Sequence, residues 1–362
     1  MTRPLVFAAR DTDRYRSIVA SLTVDHAKVV VMDDGFKCLD AIVLQPPHAV
    51  LVDIEIPGMP VFELLTRIRH SGGEPRPVVV VFGRQDEPRL RTVASQGLAD
   101  GFIALPCRDA AFMARFADVL DARAEAANTR LNTIQRSLLK LGRQCTHDMR
   151  RAFEAEEPIN STTVDAFCQS LVAAARSEEL VSTFDALRAH HSHSFVHVLR
   201  VASAMTVFGH HAGMRDGDLM RLAQAGFLHD VGKLCMSHAI LSKPGPLTED
   251  EWVLVKEHPA VSVDILSRGN GFSKDTIDAA HNHHERIDGT GYPRGLKGGQ
   301  IDDLSLVCAV ADVFSALTEK RSYKPRLSHA EALVIMRTMT GHHLEPSFFA
   351  RFEEIVHAGL IV

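Results

Sequence analysis

The chain has 362 residues, of which 46% are hydrophobic, and its formal net charge is −5. This length accommodates two domains with separate cores, and the net negative charge argues against direct nucleic-acid binding. No apolar run reaches the 18 or more residues that span a bilayer, and no signal-peptide pattern opens the chain, so we expect a cytoplasmic protein. The six cysteines form no Cys-x-x-Cys pair, which indicates neither a zinc ribbon nor a disulfide framework.

Short β-rich runs alternate with amphipathic segments in the first 110 residues. The predicted strands are Leu5–Ala8, Lys28–Met32, Ala49–Val52, Val78–Phe82 and Gly101–Ala104. The predicted helices are Asp13–Leu22, Phe36–Leu44, Phe62–Arg69, Pro88–Gln96 and one that begins at Ala110. Five strands with intervening helices predict a doubly wound α/β domain around a five-stranded parallel sheet.

The third predicted strand ends in a carboxylate, Asp53, and a turn with Pro and Gly follows it. This segment resembles the phosphoacceptor strand and loop of a response-regulator receiver domain, and the resemblance covers about residues 4–120. A working receiver also needs an acidic pair that holds Mg²⁺, a Ser or Thr, and a Lys before Pro. Those positions here hold Ala9, Arg10, Phe82 and Leu105.

The missing charges decide how we interpret this domain. A phosphoryl group cannot approach Asp53 without a cation that offsets its charge. We therefore interpret residues 1–118 as a degenerate receiver-like domain with a structural or interaction role, in which Asp53 is phosphoacceptor-like but inactive. Asp11 and Asp33 keep a weak metal site open as an alternative.

Residues 119–158 form a predicted helical linker. The stretch from Ala110 to Ala155 lacks Pro and is rich in helix-forming residues, which predicts one or two long helices. Apolar residues recur there at three- or four-residue steps, namely Leu120, Ala124, Ala127, Leu131, Ile134, Leu138 and Leu141. Such a stripe predicts either a coiled-coil homodimer seam or packing of the helix on its own chain.

The remaining residues, 159–362, show helical periodicity and predict an all-α bundle. Most of the 20 histidines lie after residue 190. Seven potential metal ligands occur in five separated stretches, namely His197, His229, Asp230, His258, His283, His284 and Asp312. A lone histidine is more often a structural residue than a ligand, but this mixed set of nitrogen and oxygen donors favours Fe, Mn, Ni or Zn.

Two blocks make this pattern specific, Phe227–Lys233 and the Gly/Pro-rich stretch His283–Pro293. Together with Lys243-Pro244-Gly245 and residues 312–323, they resemble the HD-GYP family of cyclic di-GMP phosphodiesterases, a branch of the HD metal-dependent phosphohydrolases. The resemblance runs from about residue 160 to the C-terminus. It implies an HD-type helical bundle that hydrolyses a phosphodiester.

The resemblance also implies how the ligands divide between two divalent transition-metal ions. One ion would be surrounded by His197, His229, Asp230 and Asp312. The other would be surrounded by Asp230, His258, His283 and His284, with Asp230 bridging. Two such cations activate water and stabilise charge on phosphate oxygens. Some family members hold a third ion with a Glu that His193 replaces here, so we favour two ions.

Substrate contacts follow from the same resemblance. Asp230 and Lys233 would be catalytic, and Lys233, Tyr292, Arg321 and Lys324 would bind the nucleotide. The family usually has Asp at the position of Ser315, and this departure bears on a hydrogen bond behind the ligands and on substrate affinity. The Gly-Tyr-Pro loop would form a lip over the site and a surface for a signalling-protein partner.

The first functional hypothesis is therefore hydrolysis of cyclic di-GMP to pGpG, with onward hydrolysis to GMP left open. Two alternatives remain. One is a non-catalytic cyclic-dinucleotide sensor or scaffold that signals through the receiver-like domain. The other is a phosphohydrolase that prefers pGpG or another cyclic dinucleotide, because an open two-metal site tolerates such variation.

Overall fold

The computed structural model describes residues 3–26, 28–71, 76–127, 131–177, 180, 193–241, 243, 245–319 and 327–361, without the side chains of residues 24, 25, 91, 94, 193, 194, 238 and 239. Two compact units are present. Residues 1–127 and 237–244 form the first, and residues 128–236 and 245–362 form the second. The domain boundaries after residues 118 and 158 remain predictions.

Five parallel strands form the centre of the first unit. They are β1 (Leu5–Ala8), β2 (Val29–Met32), β3 (Ala49–Asp53), β4 (Val78–Arg84) and β5 (Gly101–Leu105). Their order in the sheet is β2-β1-β3-β4-β5, and every neighbouring pair is parallel. The connecting helices are α1 (Arg16–Asp25), α2 (Gly35–Leu44), α3 (Val61–His70), α4 (Pro88–Ser95) and α5 (Asp109–Ala127), and a 3-10 turn at Asp13–Tyr15 precedes α1. The predicted doubly wound α/β class is confirmed.

The sheet separates two apolar cores. Successive side chains of a strand point to opposite faces, so Leu5 and Phe7 pack on one side with Phe112 of α5. Val6 packs on the other side with Leu64 of α3. Burial on both faces explains why the strands are continuous apolar runs in the sequence.

Asp53 lies at the end of β3 in a largely apolar setting. Its side chain is buried, and its Oδ1 accepts a hydrogen bond from the backbone N–H of Glu55 at 2.9 Å. Burial raises the pKa of this carboxyl group. Phe82 stacks on Phe7 nearby, with ring centroids 5.3 Å apart, and meets Tyr15 edge-on at 5.2 Å. The aromatic ring of Phe82 thus stands where a receiver needs a Ser or Thr.

The two alternative carboxylates of this domain have other partners. Asp33 Oδ1 lies 2.8 Å from the Lys37 ammonium, and Asp11 accepts a hydrogen bond from the backbone N–H of Arg14 at 3.2 Å. Among the described residues, no cluster of metal-ligating side chains includes Asp53. These contacts support the degenerate-receiver interpretation, which remains a prediction.

The predicted linker consists of two helices, α5 in the first unit and Thr133–Glu154 in the second. Leu120 belongs to a core of the first unit, whereas Leu131 and Leu138 belong to the core of the second. Ile134 is 46% exposed. Most of the apolar stripe therefore packs within its own unit, which favours the second of the two interpretations of the stripe.

Helices form nearly all of the second unit's regular structure in the described ranges. They are Thr133–Glu154, Ser161–Arg176, His193–His211, Asp216–Leu228, Glu249–Lys256, His258–Ser267, Lys274–Asn282, Asp303–Thr318, His329–Met339 and Pro346–His357, with 3-10 turns at Val231–Cys235 and Gly298–Gln300. A further short helix, His238–Leu241, clusters with the first unit. The predicted all-α bundle is confirmed. In the part of the chain that is described, no helix has the length and apolar content needed to cross a membrane.

One close helix contact places the first ligands. A Cβ atom on Gly226 would lie 2.6 Å from the Cα of Ala202, so only glycine permits this approach of the helices Asp216–Leu228 and His193–His211. His197 lies on the second of these helices, and His229 directly follows the first. The contact therefore brings the two imidazoles to a ring-centroid distance of 5.4 Å.

We expect no phosphorylation of Asp53 when the full chain is incubated with acetyl phosphate and Mg²⁺, because no cation would screen the incoming phosphoryl group from the carboxylate. Intact-mass spectrometry measures the adduct, and an unrelated receiver domain with a complete acidic pair serves as the positive control. A stoichiometric adduct on Asp53 would contradict the degenerate-receiver interpretation.

Candidate metal centre

The site begins where the helix Asp216–Leu228 ends. His229 follows the helix and is fully buried, and Asp230 precedes the 3-10 turn Val231–Cys235. Both side chains are buried, and His229 Nε2 lies 3.3 Å from Asp230 Oδ2.

Gly232 brings the next ligand into that space. Its backbone N–H donates to Ser262 Oγ at 2.9 Å, and a Cβ atom at this position would lie 2.0 Å from the carbonyl oxygen of His258. The 3-10 turn therefore lies directly on the first turn of the helix His258–Ser267. This contact sets His258 Nε2 3.2 Å from Asp230 Oδ1.

The remaining ligands come from two further helices. His283 and His284 follow the helix Lys274–Asn282, and their ring centroids are 4.1 Å apart. Asp312 lies within the helix Asp303–Thr318, and its Oδ1 is 3.0 Å from His197 Nε2. All seven candidate ligands of the sequence analysis thus meet in one place.

The seven side chains divide into two groups. Within each group, the ligand atoms all lie within 4.8 Å of one another. One group contains Asp230, His258, His283 and His284, and the other contains His197, His229 and Asp312. The carboxylate of Asp230 faces both. Its Oδ1 is 3.2 Å from His258 Nε2 and 3.6 Å from His283 Nε2. Its Oδ2 is 3.3 Å from His229 Nε2 and 3.6 Å from His197 Nε2.

Backbone carbonyl groups orient three of the imidazoles. The Nδ1 atoms of His229, His258 and His283 lie 2.8, 2.7 and 3.0 Å from the carbonyl oxygens of Gly226, Val255 and Ala280, three residues earlier in each case. These carbonyls belong to final helical turns, where carbonyl groups lack the usual intrahelical partner. A proton on Nδ1 leaves Nε2 unprotonated, so Nε2 can act as a metal ligand. The Nε2 atoms of these rings are the ones that face Asp230.

The protonation states suit metal binding. Burial would raise the pKa of Asp230, but Lys233 and His229 outweigh this effect and hold that pKa well below its usual range. Burial lowers the pKa of His283 to about 4 and the pKa of His284 well below its usual value. Ionised carboxylates and neutral imidazoles are the forms that bind metal ions.

Two buried atoms without hydrogen bonds also indicate a metal centre. His229 Nε2 and Asp230 Oδ1 are both buried and have no hydrogen-bond partner in the structure. Burial would lower the pKa of His229, but the Asp230 carboxylate outweighs it and raises that pKa, as expected for an imidazole beside an anion that lacks a cation. A divalent cation in each of the two ligand groups would satisfy these atoms, so the residues present fit a metal centre.

The predicted substrate contacts are only partly within the described ranges. Lys233 Nζ lies 2.5 Å from Asp230 Oδ2, and the Tyr292 ring stacks on His284 at a centroid distance of 4.7 Å. Both therefore border the ligand cluster. Arg321 and Lys324 lie outside the described residues, as does the side chain of His193.

The Gly-Tyr-Pro loop is anchored by a residue whose role the sequence analysis missed, Glu285. Its buried carboxylate accepts hydrogen bonds from the backbone N–H groups of Arg294 at 2.6 Å and Leu296 at 2.9 Å. Gly291 closes the loop tightly, because a Cβ atom there would lie 2.4 Å from the backbone nitrogen of Arg286. Glu285 directly follows the His283-His284 pair, and this adjacency was the available signal.

A second missed carboxylate belongs to Glu319, which is also buried. Its Oε2 lies 3.6 Å from His197 Nδ1. Glu319 follows Asp312 by seven residues, two helical turns, so helical spacing places both on one face. That spacing is a weak signal by itself, because it does not say what the face contacts.

Comparison with known proteins agrees with this geometry. Residues 181–348 match the family model described as HD domain, and the match includes all seven ligands together with the Gly-Tyr-Pro loop. Residues 181–348 are therefore similar to the HD domain. HD-domain phosphohydrolases are metal-dependent, which agrees with the two ligand groups.

Curated relatives of this chain include two named enzymes. The 3'3'-cGAMP-specific phosphodiesterase 3 of Vibrio cholerae is 37% identical over 161 residues, which are 44% of this chain and 35% of that protein. The cyclic di-GMP phosphodiesterase response regulator RpfG of Xanthomonas campestris pv. campestris is 28% identical over 298 residues, 82% of this chain and 72% of that protein. The chain thus spans about a third of the first relative's length, and the second match extends into the receiver-like domain.

A solved structure supports the fold of this chain. The HDG"Y"P protein of Bdellovibrio bacteriovorus superposes with a TM-score of 0.51 at 16% identity, covering 66% of this chain and 77% of that one. At this identity the likeness concerns the fold alone.

We expect Gly232→Ala to weaken metal binding and lower the melting temperature, because the new methyl group would displace the His258 backbone from the 3-10 turn. The destabilisation should be about 1–3 kcal/mol. Gly217→Ala is the matched control, because a Cβ atom at Gly217 meets no atom within 4 Å. Metal content measured by mass spectrometry and thermal unfolding report the two effects. Equal behaviour of the two variants would contradict the close contact.

Proposed function

We propose that this chain is a metal-dependent phosphodiesterase that hydrolyses cyclic di-GMP to pGpG, with onward hydrolysis to GMP as an extension of the same chemistry. The observation that carries the proposal is the carboxylate of Asp230, whose two oxygens face two separate groups of buried ligands. A binding-only protein has no need of such a paired arrangement. Relatives named as cyclic-dinucleotide phosphodiesterases add support.

The ligands would hold two divalent transition-metal ions, Fe, Mn, Ni or Zn, with Asp230 shared between them. Bound cations would supply an activated water and would stabilise charge that develops on phosphate oxygens. The mixed imidazole and carboxylate set supports these metals over Ca²⁺ or Mg²⁺, which prefer oxygen ligands. A third ion would require the His193 side chain as an additional ligand, and we favour two ions.

The protein's own side chains would orient the substrate. Lys233 lies at the ligand cluster, and its ammonium can exchange its contact with Asp230 for a phosphate oxygen once cations neutralise the carboxylate. Tyr292 would form one wall of the binding site, because its ring covers His284. Arg321 and Lys324 would contact phosphate and guanine.

Another cyclic dinucleotide is the second candidate substrate. It is favoured by the relative that is named as specific for 3'3'-cGAMP and that is 37% identical over its aligned part. The two substrates differ in one purine base, so the metal ligands alone do not discriminate between them. Residues that contact the base would decide the preference.

The interaction partners remain proposals as well. A signalling protein would bind at the Gly-Tyr-Pro loop, which Glu285 and the backbone N–H groups of Arg294 and Leu296 hold in a defined shape. A homodimer through the linker would have to use what the apolar stripe leaves exposed, such as Ile134.

The central test is product analysis on metal-free and metal-reloaded protein. We expect reloaded wild-type protein to convert cyclic di-GMP to pGpG, and Asp230→Asn to lose bound metal and turnover together, because the amide cannot bridge two cations. Asp218→Asn is the matched control, since Asp218 lies on the exposed first turn of the helix before Asp230. Chromatography with cyclic di-GMP, pGpG and 3'3'-cGAMP as substrates identifies the preference. Nucleotide binding without turnover by reloaded wild-type protein would favour the sensor alternative.

Lys233→Gln should retain metal and lower kcat/KM by about 10- to 100-fold, which corresponds to one charge-assisted hydrogen bond of roughly 1.5–3 kcal/mol. Lys274→Gln is the matched control, because the Lys274 side chain is 84% exposed and pairs with Asp278 on the surface. Steady-state kinetics and metal analysis of both variants separate substrate binding from metal loss. Unchanged kinetics in Lys233→Gln would remove Lys233 from the proposed substrate contacts.

A further inference from the structure

His197 differs from its neighbours in what its Nδ1 atom faces. In His229, His258 and His283, Nδ1 lies within 3.0 Å of a backbone carbonyl oxygen. In His197 the Nδ1 atom lies 3.6 Å from the Oε2 atom of Glu319, and both side chains are buried, with exposed fractions of 8% and 7%.

The position of His197 within its helix explains the difference. The imidazoles of His229, His258 and His283 stand at helix ends, where terminal carbonyl groups have no intrahelical donor. His197 lies inside the helix His193–His211, where the carbonyl groups three and four residues earlier belong to the helix's own hydrogen bonds. An acceptor for its Nδ1–H must therefore come from another element.

The helix Asp303–Thr318 and its C-cap residue place a carboxylate beside each nitrogen of the His197 ring. Asp312 Oδ1 is 3.0 Å from Nε2, and Glu319, which caps the C-terminal end of the same helix, faces Nδ1. The end of this helix is tied to the helix of His197, because Arg200 Nη2 donates to Thr318 Oγ1 at 2.7 Å. Glu319 is thus held beside the ring by the neighbouring residue's contact.

We propose that Glu319 is a positioning residue for the metal centre. Its carboxylate accepts the Nδ1–H of His197, which keeps Nε2 free of a proton and directs it at the ion that His197, His229 and Asp312 would hold. A shift of about 0.5 Å brings the 3.6 Å pair to hydrogen-bond distance. The assignment rests on the proposed metal centre. Glu319 also places a carboxylate behind the metal ligands at the end of this helix. The same helix has Ser315 at the position where the HD-GYP family usually has Asp.

Metal affinity of graded variants tests the assignment without substrate. Metal-free wild-type, Glu319→Gln and Glu319→Met protein are titrated with Co²⁺ against a chelator, and the visible absorption of bound Co²⁺ is recorded. We expect one of two Co²⁺ affinities to fall about 10- to 100-fold in Glu319→Met and less in Glu319→Gln, because an amide oxygen still accepts the hydrogen bond. The other affinity should stay within a factor of about three.

A structural role predicts a different pattern. Asp303→Asn, at the exposed start of the same helix, is the matched control and should bind both ions as the wild type does. Melting temperatures of the metal-free variants should stay close to the wild-type value. Equal Co²⁺ affinities in wild-type and Glu319→Met protein overturn the assignment while the metal centre stands, and parallel loss of both ions with a lower melting temperature also overturns it. Absence of Co²⁺ binding in the wild type would overturn the metal centre together with the role of Glu319.

Discussion

The buried carboxylate of Asp230 is the constraint on which the C-terminal unit depends. A carboxylate that loses its water is destabilised by several kcal/mol unless partners compensate. Here Lys233 and the Nε2 atoms of four imidazoles surround it within 3.6 Å. Each of those partners is supplied by an element that must be correctly packed for the charge to be satisfied. The site and the arrangement of its helices are therefore mutually dependent.

Helix ends do much of the positioning. His229, His258 and His283 all stand at the beginning or just past the end of a helix, where terminal carbonyl groups accept their Nδ1–H and turn Nε2 inward. This arrangement needs no additional side chain to orient the three imidazoles. His197 and Asp312 lie inside helices and cannot use it. For His197 the compensating group is a carboxylate, that of Glu319.

Much of the fold was predictable because apolar runs of β-branched residues, separated by Gly and Pro, have few alternatives to buried parallel strands. The ligand set was predictable because the order and spacing of its residues along the chain can be compared with those of a known family. The features that could not be predicted depend on contacts between residues that are far apart in the sequence. A stripe of apolar residues at three- and four-residue steps does not show which surface packs against it. Leu131 and Leu138 proved to be core residues of their own unit. Glu319 was missed for the same reason, since only the fold shows that its helix faces His197.

Two buried carboxylates, Asp53 and Asp230, show how surroundings decide chemistry. Burial raises the pKa of Asp53 and outweighs the opposing effect of the Arg14 guanidinium. Burial acts in the same sense on Asp230, but Lys233 and His229 reverse the outcome and keep it ionised. An ionised carboxylate among neutral imidazoles attracts a divalent cation, whereas burial without enough compensating charge weakens that attraction. The same side chain thus has opposite pKa shifts in the two units, and the difference lies in the charges that each fold places around it.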